Sequence, residues 1–280
     1  MDRLNESLSR QNFERLRELI LDEAGISLGQ EKKTMLEVRL RRRLSTLRMT
    51  STARYCEYLF SPEGRSKELV NLIDTVTTNK TDFFREPDHF EHLVLKALPD
   101  IEQRRGLSRR LLVWSAGCST GEEPYTLAMV LSEYAQRRGG FRFALLASDI
   151  STRALEAAKM GIFRSETVQP VPPDLRRKYL MRSRDSASDL VRVVPELRAT
   201  IEFRRLNLMD SHYDIAEPPE IIFCRNVIIY FDRSTQMRIL GRLVSHLMPG
   251  GYFFAGHSES LQNMDLPLTV AGPAVYRKCG

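Results

Sequence analysis

Apolar segments and amphipathic helices alternate regularly from about residue 110 to the end of the chain. RLLVWSAG has the length and composition of a buried strand, and EEPYTLAMVLSEYAQRR after it has helical periodicity. The same order recurs in FRFALLASD with STRALEAAKM and in PEIIFCRNV with RSTQMRILGRLVSHLM, and GYFFAGH and AVYRKC are predicted closing strands. This alternation predicts a Rossmann-like α/β domain, in which helices cover both faces of a mostly parallel sheet.

A small helical domain is predicted before this alternation. Between residues 10 and 78 the apolar residues recur at helical spacing, and strand patterns are absent from the sequence. The segment EKKTMLEVRLRRRLSTLRM carries an apolar stripe at Leu36, Leu40, Leu44 and Leu47. We therefore assign residues 1–78 to an all-helical N-terminal domain, which a chain of 280 residues can hold beside a larger domain.

The remaining chain is assigned to a linker and one large domain. Residues 79–90 form the linker at the cleft between the domains, and residues 91–280 form the α/β domain. The stretch at about 163–206 interrupts the strand–helix order with prolines and then with two alternating segments, LVRVVP and ATIEFRRL. Because such alternation is typical of half-buried strands, it predicts a small antiparallel β-subdomain inserted in the larger one.

The positive charge of the chain is concentrated in one predicted helix at 31–48. The chain carries a formal net charge of +6, and residues 32–48 of this helix, with seven Lys or Arg and one Glu, sum to the same value. Lys32, Arg39, Arg42 and Arg43 are predicted to lie on one flank of the apolar stripe. Such a local basic feature indicates an acidic partner, and the alternative is a solvated charged face.

Several classes of protein are disfavoured by what the sequence lacks. Its apolar runs are shorter than the ~20 residues that cross a bilayer, and its start lacks the apolar core of a signal peptide. The four cysteines have no metal-like spacing, and His89 and His92 share a helix face without an obvious third ligand. We expect a cytoplasmic monomer with reduced thiols, without membrane insertion and without a bound metal.

The loop WSAGCSTGEEPY, residues 114–125, indicates the kind of ligand. It has neither the G-x-G-x-x-G order nor the GK[ST] ending of phosphate-binding loops. Glu122 and Glu123 would repel the phosphates of NAD or ATP. A nucleoside that carries positive charge and no phosphate fits better, and S-adenosylmethionine is such a ligand. The alternative is that both glutamates only favour the start of the next helix.

Four groups are predicted to meet at the carboxyl ends of the strands, where α/β sheets bind ligands. They are the glycine loop 117–121, Asp149, Asn207 and the pair Arg225–Asn226. Asp149 ends a strand and is suited to accept both hydroxyls of a ribose, although a helix N-cap or a surface acid would look the same.

Two further segments place polar groups in apolar surroundings. In NKTDFFRE the paired phenylalanines adjoin Asn79, Thr81 and Arg85, which favours a site over a packed linker. In FCRNVIIYFD the Arg–Asn pair lies inside an apolar run, which is costly unless the pair is partnered or functional. Tyr230 follows at or just past the strand end.

Together, NKTDFFRE, WSAGCSTGEEPYTLAM, ASDIS, CRNVIIYF and AGHSESL resemble the CheR family of chemotaxis receptor methyltransferases. The resemblance implies a class I methyltransferase domain that transfers a methyl group from S-adenosylmethionine to glutamate side chains on chemoreceptor cytoplasmic helices. The product would be S-adenosylhomocysteine. Carried over residue by residue, cofactor contacts fall on Asn79, Thr81, Arg85, Glu123, Asp149, Asn207, Leu208, Arg225 and Asn226.

The same resemblance implies further roles. Arg85 and Tyr230 would lie nearest the methyl group, and the helix with Lys32, Arg39, Arg42 and Arg43 would dock the acidic methylation region of the receptor. Some members also bind a C-terminal receptor pentapeptide through the β-subdomain. Those members carry glycines in the loop that matches MRSRDSASD, and this chain has none there.

Two alternatives of other classes remain at this point. A nucleic-acid methyltransferase would usually show a D/N-P-P-aromatic turn or a Pro-Cys nucleophile. This chain has CRNV where the D/N-P-P-aromatic turn would stand, and the dipeptide Pro-Cys does not occur in its sequence. The basic flank also lacks interleaved aromatic residues. A non-catalytic S-adenosylmethionine-binding module would be favoured by a missing Asp149 or a disrupted Arg225–Asn226 pair, and both are present. We expect no nucleic-acid partner.

Overall fold

The computed structural model describes residues 7–106, 109–185, 187–262 and 264–280. Its strands are, in chain order, β1 (Leu111–Ala116), β2 (Phe143–Asp149), β3 (Ile162–Arg164), β4 (Leu180–Arg182), β5 (Leu190–Val193), β6 (Ile201–Arg205), β7 (Ile221–Cys224), β8 (Tyr252–Ala255), β9 (Leu268–Gly272) and β10 (Val275–Lys278). Its α-helices are α1 (Arg10–Ala24), α2 (Lys33–Leu47), α3 (Thr52–Phe60), α4 (Pro62–Val76), α5 (Asp88–His92), α6 (Leu98–Arg105), α7 (Glu122–Arg137), α8 (Thr152–Met160), α9 (Pro173–Tyr179), α10 (Pro195–Arg198) and α11 (Arg233–His246).

The larger part of the chain folds around a seven-stranded sheet in the order β6-β2-β1-β7-β8-β10-β9. The first five strands are parallel, and β10 is antiparallel to both of its neighbours. The strand order reverses direction between β1 and β7, which is where open α/β sheets form their ligand crevice. The predicted α/β fold with a mostly parallel sheet is therefore confirmed.

Both faces of this sheet are covered, as the apolar strands predict. Along β1, Val113 belongs to one buried cluster and its neighbour Trp114 to the other. Phe223 and Ile222 of β7 divide in the same way. Because successive side chains of a strand point to opposite faces, this division shows that the sheet is the middle layer of three.

The inserted antiparallel sheet is smaller than the sequence pattern suggested. It has three strands in the order β3-β5-β4. LVRVVP supplies β5, as expected, but ATIEFRRL forms β6, which pairs in parallel with β2 in the main sheet. The assignment of this second segment to the insertion was wrong. An edge strand exposes alternate residues, as Glu202 beside buried Ile201 shows, and so it resembles a half-buried antiparallel strand in sequence.

The N-terminal helices pack around their own core and against the sheet domain. Leu36, Leu40 and Leu44 of α2 are fully buried in that core, as the predicted stripe requires. Lys32 does not lie on the basic helix, because a 3₁₀ turn, Gln30–Lys32, precedes α2. No helix in the described ranges is long and apolar enough to cross a membrane.

The helical domain closes over the carboxyl ends of the strands. The backbone turns at Gly25, whose φ of 69° is left-handed, and a side chain there would meet the ring of Phe231 at 2.6 Å. Asn207 Nδ2 donates to the Glu23 carbonyl at 2.6 Å, and Thr152 Oγ1 donates to Asp74 of α4. The contacts of Gly25 and Glu23 hold the end of α1 above the loops that follow β7 and β6, and the contact of Asp74 ties α4 to the start of α8.

Candidate functional site

A cavity of about 270 Å³ lies between the helical domain and the carboxyl ends of β1, β2 and β7. Apolar residues of the helical domain, including Ile26, Leu28 and Met35, form one wall. The residues predicted to contact the cofactor all line this cavity, namely Asn79, Thr81, Arg85, Glu123, Asp149, Asn207, Leu208, Arg225 and Asn226. Tyr230 also lines it. The fold thus brings together groups that lie up to 151 residues apart in the chain.

The glycine loop is shaped by its close approach to neighbouring segments. The N–H groups of Gly117 and Cys118 both donate to the Ser148 carbonyl, at 2.7 and 2.9 Å, which ties the loop to the end of β2. Gly117 has a φ of 84°, and a side chain there would meet Val227 Cγ2 at 2.4 Å. Glycine is required at this position because the loop passes directly beside the turn after β7.

The two glutamates after this loop have different roles. Glu122 accepts from Thr120 Oγ1 at 2.6 Å and belongs to the start of α7, away from the cavity lining. Glu123 lines the cavity, where its Oε1 accepts from Ser115 Oγ at 2.7 Å and its Oε2 lies 3.6 Å from Arg225 Nε. Glu122 therefore belongs to the start of the helix, and Glu123 faces the cavity.

Asp149 holds the glycine loop as well as facing the cavity. Its Oδ2 accepts from the Ser119 N–H at 2.8 Å, and its Oδ1 accepts from the Ser151 N–H at 2.9 Å. Burial raises the pKa of Asp149, and the N–H groups of Ser151 and Ser119 oppose this rise. Each carboxylate oxygen accepts more than one hydrogen bond, so the side chain can still receive a pair of ligand hydroxyls.

Arg225 is a buried cation between two carboxylates. Its side chain is 2% exposed, and its Nε lies 3.4 Å from Glu86 Oε2 and 3.6 Å from Glu123 Oε2. Its Nη2 donates to the Arg85 carbonyl, and its guanidinium carbon lies 5.4 Å from the centre of the Phe90 ring. The sequence indicated that a charge in this apolar run needs partners, and Arg225 has them in Glu86, Glu123 and the Arg85 carbonyl. The cluster has a net charge of −1 when both glutamates are ionised.

Arg85 lines the cavity from the linker, and Tyr230 lines it from the segment after β7. In the described part of the chain, neither side chain forms a hydrogen bond or an ion pair with another residue. Beside Arg85, Phe84 and Glu86 have left-handed φ values of 53° and 55°. Such backbone is strained in non-glycine residues and is concentrated at functional sites.

Glu259 organises the turn that carries Asn226 and Tyr230, and the sequence analysis did not single it out. Its Oε2 accepts from the N–H groups of Asn226 and Gly256, both at 2.7 Å, and its Oε1 accepts from Ile228 N at 3.0 Å. The carboxylate is 4% exposed. Burial raises its pKa, and these N–H bonds oppose the rise. The only sequence signal was an acid in AGHSESL, a stretch used for the resemblance.

The predicted docking residues lie in different surroundings. Arg43 forms two hydrogen bonds of 2.6 Å with Glu68, a buried carboxylate of the same domain. Arg39 donates to the carbonyls of Val76 and Thr77, at 2.5 and 3.1 Å, at the end of α4. Lys32 lines the cavity. Only Arg42 of this set is exposed on the outer face of α2.

Comparison with known proteins agrees with this geometry. Residues 79–275 match the family model described as CheR methyltransferase, SAM binding domain, and residues 11–77 match CheR methyltransferase, all-alpha domain. The chain is 42% identical to a chemotaxis protein methyltransferase of Escherichia coli over 96% of this chain and 91% of the relative. It is 39% identical to chemotaxis protein methyltransferase 2 of Pseudomonas aeruginosa, over 96% and 93%.

A third relative extends the similarity to a distant organism. A chemotaxis protein methyltransferase of Borreliella burgdorferi is 36% identical over 98% of this chain and 96% of its own length. The identity extends over most of each chain, and the two family models are matched in order. The chain therefore belongs to the CheR methyltransferase family and is an S-adenosylmethionine-dependent methyltransferase.

Proposed function

We propose that this enzyme transfers the methyl group of S-adenosylmethionine to glutamate carboxylates on the cytoplasmic helices of chemoreceptors. The products are glutamate methyl esters and S-adenosylhomocysteine, and the reaction serves sensory adaptation in the cytoplasm. The observation that supports this most is the cavity whose lining brings together Asp149, Arg225 and Arg85 with apolar residues of the helical domain.

The charged groups of the cavity match the cofactor from end to end. Asp149 is proposed to bind the ribose hydroxyls, with Asn207 and Leu208 of the same cavity lining at the adenine end. The negative cluster of Glu123, Glu86 and Arg225 suits the cofactor's ammonium and sulfonium charges. Asn79 and Thr81 close the site from the linker. This is a ligand with positive charge and no phosphate, as the acidic loop requires.

The transfer needs orientation more than acid–base chemistry. A glutamate carboxylate has a pKa near ~4.3 and is ionised at neutral pH, so neither a general base nor a metal ion is required. A carboxylate oxygen attacks the methyl carbon while the carbon–sulfur bond breaks, and the electron pair stays on sulfur. Because opposite charges disappear, alignment and exclusion of water carry the catalysis. Arg85 and Tyr230 are proposed as the aligning groups.

Replacing Arg85 with alanine is expected to lower kcat/KM for a receptor cytoplasmic fragment by about 100-fold, because a charge-assisted hydrogen bond contributes about 1.5–3 kcal/mol. Tyr230→Phe should lower it by about tenfold. Methyl transfer from labelled cofactor measures both. Lys96→Ala, an exposed change away from the cavity, is the matched control.

Calorimetry with S-adenosylhomocysteine separates two roles for Arg85. Unchanged product affinity in Arg85→Ala assigns the guanidinium to the acceptor carboxylate. A loss of product affinity as large as the loss of kcat/KM assigns it to the carboxylate of the cofactor. Wild-type enzyme that binds the product but transfers no methyl group to receptor glutamates would contradict the proposed acceptor. Transfer to nucleic acid instead would support the alternative class.

The acceptor is proposed to dock along the outer face of α2. Arg41 and Arg42 are exposed there, next to Val38, which is 46% exposed. The two arginines form no ion pair with any acid in the ranges that the structure describes. Lys32, Arg39 and Arg43 contribute from the cavity side or through positioning of α2. Such a surface suits a helix that presents acids beside apolar residues.

The double change Arg41→Glu with Arg42→Glu should raise KM for the receptor fragment about tenfold, because like charges then face the acidic region. The affinity for S-adenosylhomocysteine should not change. Lys96→Glu with Arg137→Glu alters the net charge equally at exposed positions elsewhere and should leave KM unaltered. Equal effects of the two pairs would show a general charge effect and argue against docking on α2.

Two finer points belong to the same proposal. The enzyme acts as a monomer, and the β3-β5-β4 sheet is the candidate surface for a receptor C-terminal pentapeptide, because β3 and β4 are its edges. The segment that joins β4 to β5 carries no glycine in this chain.

A further inference from the structure

Buried polar atoms without hydrogen-bond partners are concentrated beside the cavity, behind Arg225. They include Glu86 Oε2 and both ring nitrogens of His89. His89 is fully buried, and its Nδ1 lies 3.4 Å from Glu86 Oε2. A buried imidazole usually satisfies at least one nitrogen, so two unpartnered nitrogens next to a carboxylate call for an explanation.

A second histidine reaches this cluster from the segment after β8. His257 follows β8, and its ring centre lies 4.8 Å from that of His89. Glu86, His89 and His257 each offer one ligand atom, and these atoms lie within 4.8 Å of one another. The sequence paired His89 with His92 and found no third ligand, whereas in the structure His92 packs against Tyr252 and Phe254 instead.

We propose that Glu86, His89 and His257 form a binding site for a divalent transition metal ion of the zinc type. Two imidazoles and one carboxylate are a ligand set that such ions take, with solvent at the remaining position. The ion would not take part in methyl transfer. It would occupy a site next to the cofactor cavity, reached from the half-exposed side of His257.

The surroundings of the ligands favour this assignment. His257 Nε2 lies 3.0 Å from Asp88 Oδ2, and carboxylates in such contact commonly orient metal-bound histidines. Glu86 and Asp88 outweigh Arg225 by one negative charge, which leaves the cluster attractive to a cation.

Occupation of this site would act on cofactor binding through Glu86. The same carboxylate lies 3.4 Å from Arg225 Nε and 3.4 Å from Asn226 Nδ2, and both of those residues line the cavity. A metal ion that draws Glu86 toward His89 would weaken these contacts. Zinc is therefore expected to lower the affinity for S-adenosylhomocysteine, a coupling that rests on the proposed cofactor contacts.

The site itself is tested without any enzyme assay. The full chain, free of a histidine tag, is titrated calorimetrically with Zn²⁺ and spectroscopically with Co²⁺. One equivalent should bind, with the visible spectrum of nitrogen and oxygen ligation. His257→Ala should weaken binding at least about tenfold, and Asp88→Asn about tenfold. Both positions are half-exposed, so the variants should fold, and retained product binding in the absence of metal confirms it.

Two control variants exclude other ligands. His212→Ala removes an exposed histidine outside the cluster, and Cys279→Ser removes the exposed thiol among the described cysteines. Neither should change the affinity for metal. Equal affinity in His257→Ala and wild type, loss of binding in Cys279→Ser, or no saturable binding would overturn the site. Zinc that binds without changing product affinity would overturn the coupling alone.

Discussion

Replacing Asp149 with alanine is expected to weaken binding of S-adenosylhomocysteine by about 100-fold or more. Two ribose hydroxyls would each lose a hydrogen bond to a carboxylate, and such bonds contribute about 1.5–3 kcal/mol each. A loss of about 3 kcal/mol corresponds to about a hundredfold in Kd. The loop would also lose the acceptor of the Ser119 N–H group. Calorimetric titration with the product measures the effect.

The control for this change lies on the next helix. Glu156→Ala removes an exposed carboxylate of α8, outside the cavity lining, and should bind the product as wild type does. Thermal unfolding of all three proteins shows whether the Asp149 variant is folded. A folded Asp149→Ala protein that binds within about threefold of wild type would contradict the ribose assignment, since that difference is under 1 kcal/mol.

Replacing Arg225 with methionine is expected to lower the free energy of unfolding by about 3–5 kcal/mol. The change leaves Glu86 and Glu123 without their shared cation, and breaking a buried ion pair on one side costs this much. Urea unfolding measures the loss. Arg41→Met, which removes an exposed arginine, should change the same quantity by less than about 0.5 kcal/mol.

The pH dependence of this variant provides a second check. Burial already raises the pKa of Glu123, and Arg225 opposes that rise, so removing the arginine should raise it further. A carboxyl whose folded pKa lies above its unfolded pKa destabilises the protein as pH rises through that interval. The deficit of Arg225→Met should therefore shrink from neutral pH toward about pH 5. A second change, Glu123→Gln, should recover part of the stability at neutral pH. A deficit that grows on acidification would refute the explanation by unpaired carboxylates.

The two acids after the glycine loop have different surroundings because of their positions on α7. Glu122 and Glu123 point in different directions because successive helix residues are rotated by about 100°. Only Glu123 therefore reaches the cavity and Arg225. The helix-terminus interpretation therefore fits Glu122, and Glu123 is the candidate for the ligand site.

The features of this protein that depend on local pattern could be predicted from the amino-acid sequence. Period-two and helical spacing gave the strands and helices, and the apolar strands gave a sheet buried on both faces. Asp149 and Arg225–Asn226 could be placed at one edge of the sheet because the carboxyl ends of parallel strands meet there. Charge and glycine placement were then enough to indicate the ligand.

The contacts between polar side chains that are distant in the sequence became visible in the tertiary structure alone. Arg43 was predicted to be a surface charge, but it pairs with Glu68 of α4. Glu259 had no distinguishing pattern in the sequence, but it accepts a hydrogen bond from the turn after β7. His257 likewise meets Glu86 across 171 residues of chain. Hydrophobic periodicity fixes which face of an element is buried. It says nothing about which polar group of another element lies opposite, because that is set by how the sheet and the helical domain pack together.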